Sequence, residues 1–217
     1  MGFGRSARQG CVGAWMILLA WPLASMAQQA PAGTHAKPGK GVATFTIERT
    51  PAWVQPLAYD ASVPVPAAPY QFLFTEQQIR VQDGGSVHYE HTLRQINDTS
   101  ALQQGGQVEV DFDPSYQRLV FHKIEIVRGK QRIDKLDAKK IRLLQREQQL
   151  ERQTIDGRIT ASIVLDDLRA GDRVEWSASV IGDNPVFGGR FVANEWDQYS
   201  DAPVGVAYLV ATLEPTP

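Results

Sequence analysis

Cysteine is nearly missing from this 217-residue chain, and Cys11 is the only one. A single thiol excludes a disulfide framework and a Cys-rich metal cluster. If the N-terminal run that holds Cys11 is removed, a cysteine nucleophile goes with it. An excess of one charge is missing too: 22 basic residues stand against 24 acidic ones, for a net charge of −2. Dispersed charge near balance leaves no electrostatic footprint for nucleic acid. No sustained helical period runs through the chain. Neither a G-x-S-x-G elbow nor an H-E-x-x-H helix occurs, which removes the commonest sequence marks of serine hydrolases and zinc proteases. Long hydrophobic runs are limited to one, Cys11 to Ala24, shorter than the roughly 20 residues a membrane span requires and interrupted by Pro22.

That run reads as a secretory signal. Arg5 and Arg8 form a positive start, the apolar stretch follows, and Ser25-Met26-Ala27 offers small residues for cleavage after Ala27. Residues 1–27 are therefore expected to be a signal peptide, placing the chain in the periplasm of a bacterium or outside the cell, with no stable membrane span after cleavage. Cleavage removes two bases and no acid, so the net charge moves from −2 to −4. Residues 28–41 are rich in Pro, Gly and Ala and read as a flexible leader.

From residue 42 onward the pattern is that of strands. "VATFTIERT" opens regular structure. "PAWVQPLAYDASVPVPAAPYQ" holds too many prolines for a helix or a central strand and is expected to cross the surface, anchored by Trp53 and Tyr59. "FLFTEQQIRVQ" and "SVHYEHTLRQI" flank a DGG turn. In the second, Val87, Tyr89, His91 and Leu93 share one face while His88, Glu90, Thr92 and Arg94 share the other. "QVEVDFDP" alternates cleanly, and Gly129-Lys130 suits a tight hairpin between "RLVFHKIEIV" and "QRID". A short turn or helix near Asp137 to Lys140 precedes more strand, with a second hairpin at Asp156-Gly157. "RVEWSASVI" puts Val174, Trp176, Ala178 and Val180 on one face, and "VGVAYLVATL" is a last apolar run. Many short strands with frequent turn signals indicate a mainly antiparallel β-sandwich over residues 42–217. The last run has no partner strand after it, so the sandwich is expected to be incomplete at the C-terminus and the chain to be a fragment.

Each cluster of polar residues has an architectural explanation. His88 and His91 are three apart, a spacing that converges on a helix but diverges on a strand. His122 is expected to be a hydrogen-bonded core histidine on the face of Val120, Ile124 and Ile126. Glu109, Asp111 and Asp113 repeat every second residue, nearly 7 Å apart on a strand, and read as a solvated face rather than a cation site. In "LDDLRAGDRVEWSASVIGDNPVFGGRF", Asp166 and Asp167 diverge because they are adjacent. Gly171 supplies a turn, and Asn184-Pro185 and Gly188-Gly189 supply reversals. No catalytic, cofactor-binding or metal-binding residues are assigned and no cofactor is expected. The loop Gly182 to Phe191 mixes aromatic and Arg content that favours interfaces, so Phe187, Arg190 and Trp196 are the candidate partner-docking residues.

The strings "DFDPSYQRLVFHKIEIVRGKQRIDKLD", "IRLLQREQQLERQTIDGRIT" and "LDDLRAGDRVEWSASVIGDNPVFGGRF" resemble a bacterial family, the domain of unknown function at the N-terminus of exported transglutaminase-like proteins. The likeness covers roughly residues 70 to 210. It implies a signal peptide, a β-sandwich and, in full-length members, a later papain-like transglutaminase domain with a Cys-His-Asp triad. No thiol remains here after the signal, so none of that triad is carried over. The chain is therefore expected to be a non-catalytic envelope module. Its expected partner is a transglutaminase-like domain in cis or another envelope protein. The alternative is a cell-wall glycan- or peptide-binding sandwich using Trp53, Trp196 or Tyr199 as a stacking platform.

Overall fold

The computed structural model describes residues 44–82, 85–145, 157–192 and 202–213. The signal and leader, the tip of the DGG turn, Asp156, Trp196 and Tyr199 lie outside the described residues. Among the described residues, ten strands make up nearly all of the regular structure: β1 (Phe45–Ile47), β2 (Tyr70–Gln82), β3 (Gly85–Ile96), β4 (Gln107–Phe112), β5 (Arg118–Arg128), β6 (Gln131–Asp134), β7 (Arg142–Gln145), β8 (Ile159–Val164), β9 (Arg173–Ile181) and β10 (Val204–Leu213). Between β3 and β4 a 3-10 turn (Thr99–Ala101), capped by the Asp98 side chain, leads into the single-turn helix α1 (Leu102–Gly105).

A seven-stranded sheet runs β1-β5-β9-β3-β2-β10, with β6 added to β5, and a three-stranded sheet runs β4-β8-β7. Neither closes into a barrel among the described residues. The hairpins β2–β3 and β5–β6 form where alternation and turn residues place them, and Gly129 takes φ 58° in the second. The expectation of a mainly antiparallel arrangement needs correcting at two places. β1 runs parallel to β5, and β10 runs parallel to β2. Both pairings join segments far apart in sequence, so no turn chemistry announces them. The final apolar run therefore does have a strand partner, but an earlier one.

One buried cluster draws on both sheets. Val108, Val110 and Phe112 of β4 and Ala161 and Ile163 of β8 join Leu119, Phe121, Ile124 and Ile126 of β5 and Val174, Trp176 and Ala178 of β9. The side of the large sheet that carries these residues is its inner face. On β3 the inner face holds Glu90, Thr92, Arg94 and Ile96, since Thr92 lies beside Trp176 and Arg94 beside Val174. The more apolar set, Val87 and Tyr89 with His91, faces the other way. It is nonetheless buried, or nearly so, because the proline-rich segment 48–69 crosses over it.

That crossing is held by named contacts. Glu48 donates its backbone N–H to the Phe121 carbonyl, and Pro69 accepts from the N–H groups of Asn97 and Asp98. Between these ends, Gln78 grips Gln55 in both directions: its amide oxygen accepts from the Gln55 N–H at 2.8 Å and its amide nitrogen donates to the Gln55 carbonyl at 2.7 Å. A side-chain amide bonded in this way does for an isolated extended residue what a neighbouring strand would do, so the segment needs no ladder of its own. Trp53 and Tyr59 are half-buried within it.

His122 departs from the face expected for it. The register of β5 against β9 slips between Phe121 and Lys123, so His122 is the extra residue of a bulge. It shares the outer face with Val120, while Ile124 and Ile126 return to the inner one. Its Nε2 lies 2.8 Å from Ser179 Oγ and its Nδ1 3.0 Å from the Glu48 carbonyl, so it is hydrogen-bonded as expected but off the core cluster.

Candidate functional site

The loop after β9 is built to present an apolar tip. Gly182 (φ 119°) packs so tightly on the β4–β5 turn that a Cβ there would lie 2.2 Å from the Tyr116 carbonyl oxygen. Asp183 accepts a hydrogen bond from the Ser86 hydroxyl, which ties the loop to the start of β3. Asn184 accepts from the Val186 N–H at 3.0 Å and caps a 3-10 turn over Pro185–Phe187, where proline at the first position fits its fixed φ. Gly188 and Gly189 then reverse the chain in left-handed conformations (φ 60° and 79°). Phe191 packs back on the His88 ring, centroid to centroid 5.6 Å.

Between these fixed points the tip is exposed. Val186 is 83% accessible, Phe187 44% and Val192 56%, with Arg190 exposed beside them. The structure thus places two of the three sequence-predicted docking residues, Phe187 and Arg190, on one short surface, and the third, Trp196, lies outside the described residues.

A second constellation, not anticipated from sequence, occupies the outer face. His91 (β3) stands between two carboxylates, with Nδ1 3.2 Å from Glu76 Oε2 (β2) and Nε2 3.1 Å from Glu175 Oε1 (β9). Glu76 is only 2% exposed and also accepts from Gln78. Glu175 further binds Lys123 at 2.9 Å and Arg132, which in turn holds Glu125 at 2.7 Å. Burial pulls the His91 pKa down, but hydrogen bonds that the ring donates to Glu175 and Glu76 outweigh it, and the net shift is upward. Burial pushes Glu175 up, and its contacts with His91 and Lys123 more than reverse this, leaving it far below the usual carboxylate range. Tyr89 nearby is raised to about 12, mainly by burial. For His122 burial wins and the pKa is lowered. The network is a set of fixed charges that saturate one another, and no hydroxyl or thiol nucleophile is hydrogen-bonded to His91 among the described residues. The signal that could have revealed it was the pair of lone acids inside two apolar strands, Glu76 and Glu175. The cross-strand register that joins them to His91 is not local information.

The other acidic residues go where their neighbours take them. Asp166 bridges Lys135 (2.6 Å) and Lys140 (2.7 Å), and these contacts hold its carboxyl well below its ordinary pKa. Asp167 (φ 58°) turns toward Arg169 and Arg128, and buried Asp172 takes Arg128 through both carboxylate oxygens at 2.9 and 2.8 Å. Asp166 and Asp167 therefore diverge, as adjacency requires. Asp111 accepts from Thr160, while Asp113 caps the β4–β5 turn through Ser115. No group of three or more His, Cys, Asp or Glu arranged to hold a metal occurs among the described residues. No helix among them is long and apolar enough to cross a membrane.

Residues 82–216 match a family described as a domain of unknown function with a solved structure, DUF3857. No curated protein matches the chain. Among solved structures, the crystal structure of a "putative protease" from Parabacteroides distasonis is similar, with a TM-score of 0.48 and 14% identity, covering 54% of this chain and 24% of that one. The chain thus spans about a quarter of that protein's length.

Proposed function

Because the chain belongs to the DUF3857 family, we propose that it is a non-catalytic β-sandwich module of the bacterial cell envelope that works by contact with a transglutaminase-like domain. The two sheets, sharing one buried cluster, are the layers of that sandwich. The resemblance of its "GDRVEW" and "GDNPVFGGRF" segments to the N-terminal domains of exported transglutaminase-like proteins supplies the partner class. The observation that carries the reading is the loop tip. Val186 and Phe187 stay exposed on a turn whose flanks are pinned by Gly182, Asn184 and two left-handed glycines, and Val192 is exposed just beyond it. A preset apolar surface with an adjacent arginine costs little conformational entropy to dock.

The only cysteine is Cys11, within the predicted signal, so the module contributes position rather than a nucleophile. The test pairs the purified protein with a transglutaminase-like domain encoded in frame beyond codon 217 or beside the gene. Direct binding, together with no amide cleavage or glutamine–lysine crosslinking by the module alone, is the expected result. Turnover by the isolated module would overturn the reading.

A further inference from the structure

Apart from the docking loop, we infer that β10 is a self-association edge: two copies of this chain pair their β10 strands antiparallel about a two-fold axis at Leu209. The edge of a sheet presents unpaired backbone donors and acceptors, and proteins blunt it by keeping the strand short or charged. Most edges here are blunted in that way. β1 has three residues, β6 reads QRID, β7 has four residues with Arg142 among them, and β4 carries Glu109 and Asp111. β10 is not. Its ten residues, VGVAYLVATL, hold no charge and no proline. One flank is in register with β2 from Phe72 to Val81, and among the described residues no strand lies on the other. Its apolar side chains are open as well: Leu209 is 59% exposed and Leu213 74%, and Tyr208 is 37% exposed although its ring lies 5.8 Å from that of Phe74.

Charge and register select a second copy as the occupant. In a two-fold contact each strand meets itself, so a charged residue near the axis would face its own like charge. An uncharged strand escapes that penalty, and β10 is uncharged along its whole length. Opposed side chains must also share a face, which puts the axis at a residue and not between two. With the axis at Leu209, that residue meets its own copy, Ala207 lies opposite Ala211, and Gly205 lies opposite Leu213. Each bulky leucine is then covered beside small neighbours, and the two most exposed apolar residues of the strand are both buried. Moving the axis to Tyr208 would set Leu213 against Pro203, which has no N–H to pair. The two large sheets become one continuous sheet across the axis, an arrangement that leaves the loop from Gly182 to Phe191 free for its own partner.

The test is sedimentation of the whole chain over a concentration series, joined to a cysteine crosslinking series in a Cys11→Ser background. The wild type is expected to double in mass as concentration rises. Leu209→Lys puts two ammonium groups face to face at the axis and should weaken association at least about tenfold, with an unchanged circular dichroism spectrum because the site is exposed. Under mild oxidation Leu209→Cys should crosslink to itself, since opposed Cα atoms in an antiparallel pair lie about 4.5–5.5 Å apart, within disulfide reach. Ala207→Cys should not, because its two copies stand roughly 14 Å apart in this register, yet it should crosslink to Ala211→Cys when the two variants are mixed. The crosslinks decide alone if Leu209→Lys fails to fold. A chain that stays monomeric at every concentration overturns the proposal. So does a dimer that Leu209→Lys leaves intact, or one that Phe187→Cys crosslinks and Leu209→Cys does not. A monomer that instead captures an added uncharged strand peptide would make β10 an acceptor for foreign strands, and would equally overturn self-pairing.

Discussion

Two histidines and two glycines show how far local environment decides behaviour in this chain. His91 has a raised pKa when folded, so its charged form is favoured by the fold. Its stabilising contribution is complete below the unfolded value, about 6.5, and is lost as pH rises through the higher folded value. His122 has the opposite sign, since its lowered folded pKa costs stability as pH falls. Thermal unfolding of wild type and His91→Gln across pH 5 to 9 should therefore converge at the alkaline end and diverge toward pH 6. A constant difference at all pH values would refute the coupling to Glu76 and Glu175. Glycines separate just as clearly. Gly129 and Gly182 both adopt positive φ, but only Gly182 has a backbone oxygen where a methyl group would go. Gly129→Ala should cost about 1 kcal/mol and Gly182→Ala about 3 kcal/mol or more, measured by urea denaturation. Sequence offered the turn at Gly129-Lys130 plainly. The crowding at Gly182 depends on Tyr116, 66 residues earlier, and was not legible.

Elements were readable wherever period and turn chemistry agreed. β2, β3, β4, β5, β6 and β9 lie where alternation puts them, and the turn at Asp137–Lys140 is closed by the Lys140 N–H to the Asp137 carbonyl. Reading failed where one strand's face depends on a third element. Alternation separates the two faces of β3 without saying which turns inward: segment 48–69 covers the apolar side, and the polar side carrying Arg94 and Thr92 faces the core cluster. A bulge at Phe121–Lys123 moved His122 off the face of Ile124 for the same reason: alternation counts residues and cannot see an inserted one. The crossing segment depends on Gln78 for its hold on Gln55. Gln78→Ala should cost about 1–3 kcal/mol and accelerate amide hydrogen exchange at Gln55 while leaving exchange in β4 and β8 unchanged. Uniform acceleration through both sheets would mean that the grip is not local.

For the molecule as a whole, stability and contact are separated in space. The core cluster is buried between the sheets and Glu76, His91 and Glu175 are largely buried on the outer face, whereas Val186, Phe187 and Val192 are exposed. Phe187→Ala should therefore leave unfolding free energy within about 0.5 kcal/mol and weaken binding to a transglutaminase-like domain by at least about tenfold, read by titration calorimetry. A large loss of stability with unchanged binding would reverse the assignment. Sequence marked this loop by composition alone, and Phe187 and Arg190 are both exposed on it.

The segment from Glu48 to Pro69 also constrains the order in which the chain can mature. It leaves the ribosome early, yet it rests on β5, β3 and β2 and, through Val65, on β10 at Gly205, and the last of these to be synthesised ends at Leu213. More than a hundred residues must follow it before its seat exists. Its prolines keep it extended during that wait and deny it the backbone donors that a premature sheet would recruit. Closure of the outer surface is thus a terminal event of assembly, not its nucleus.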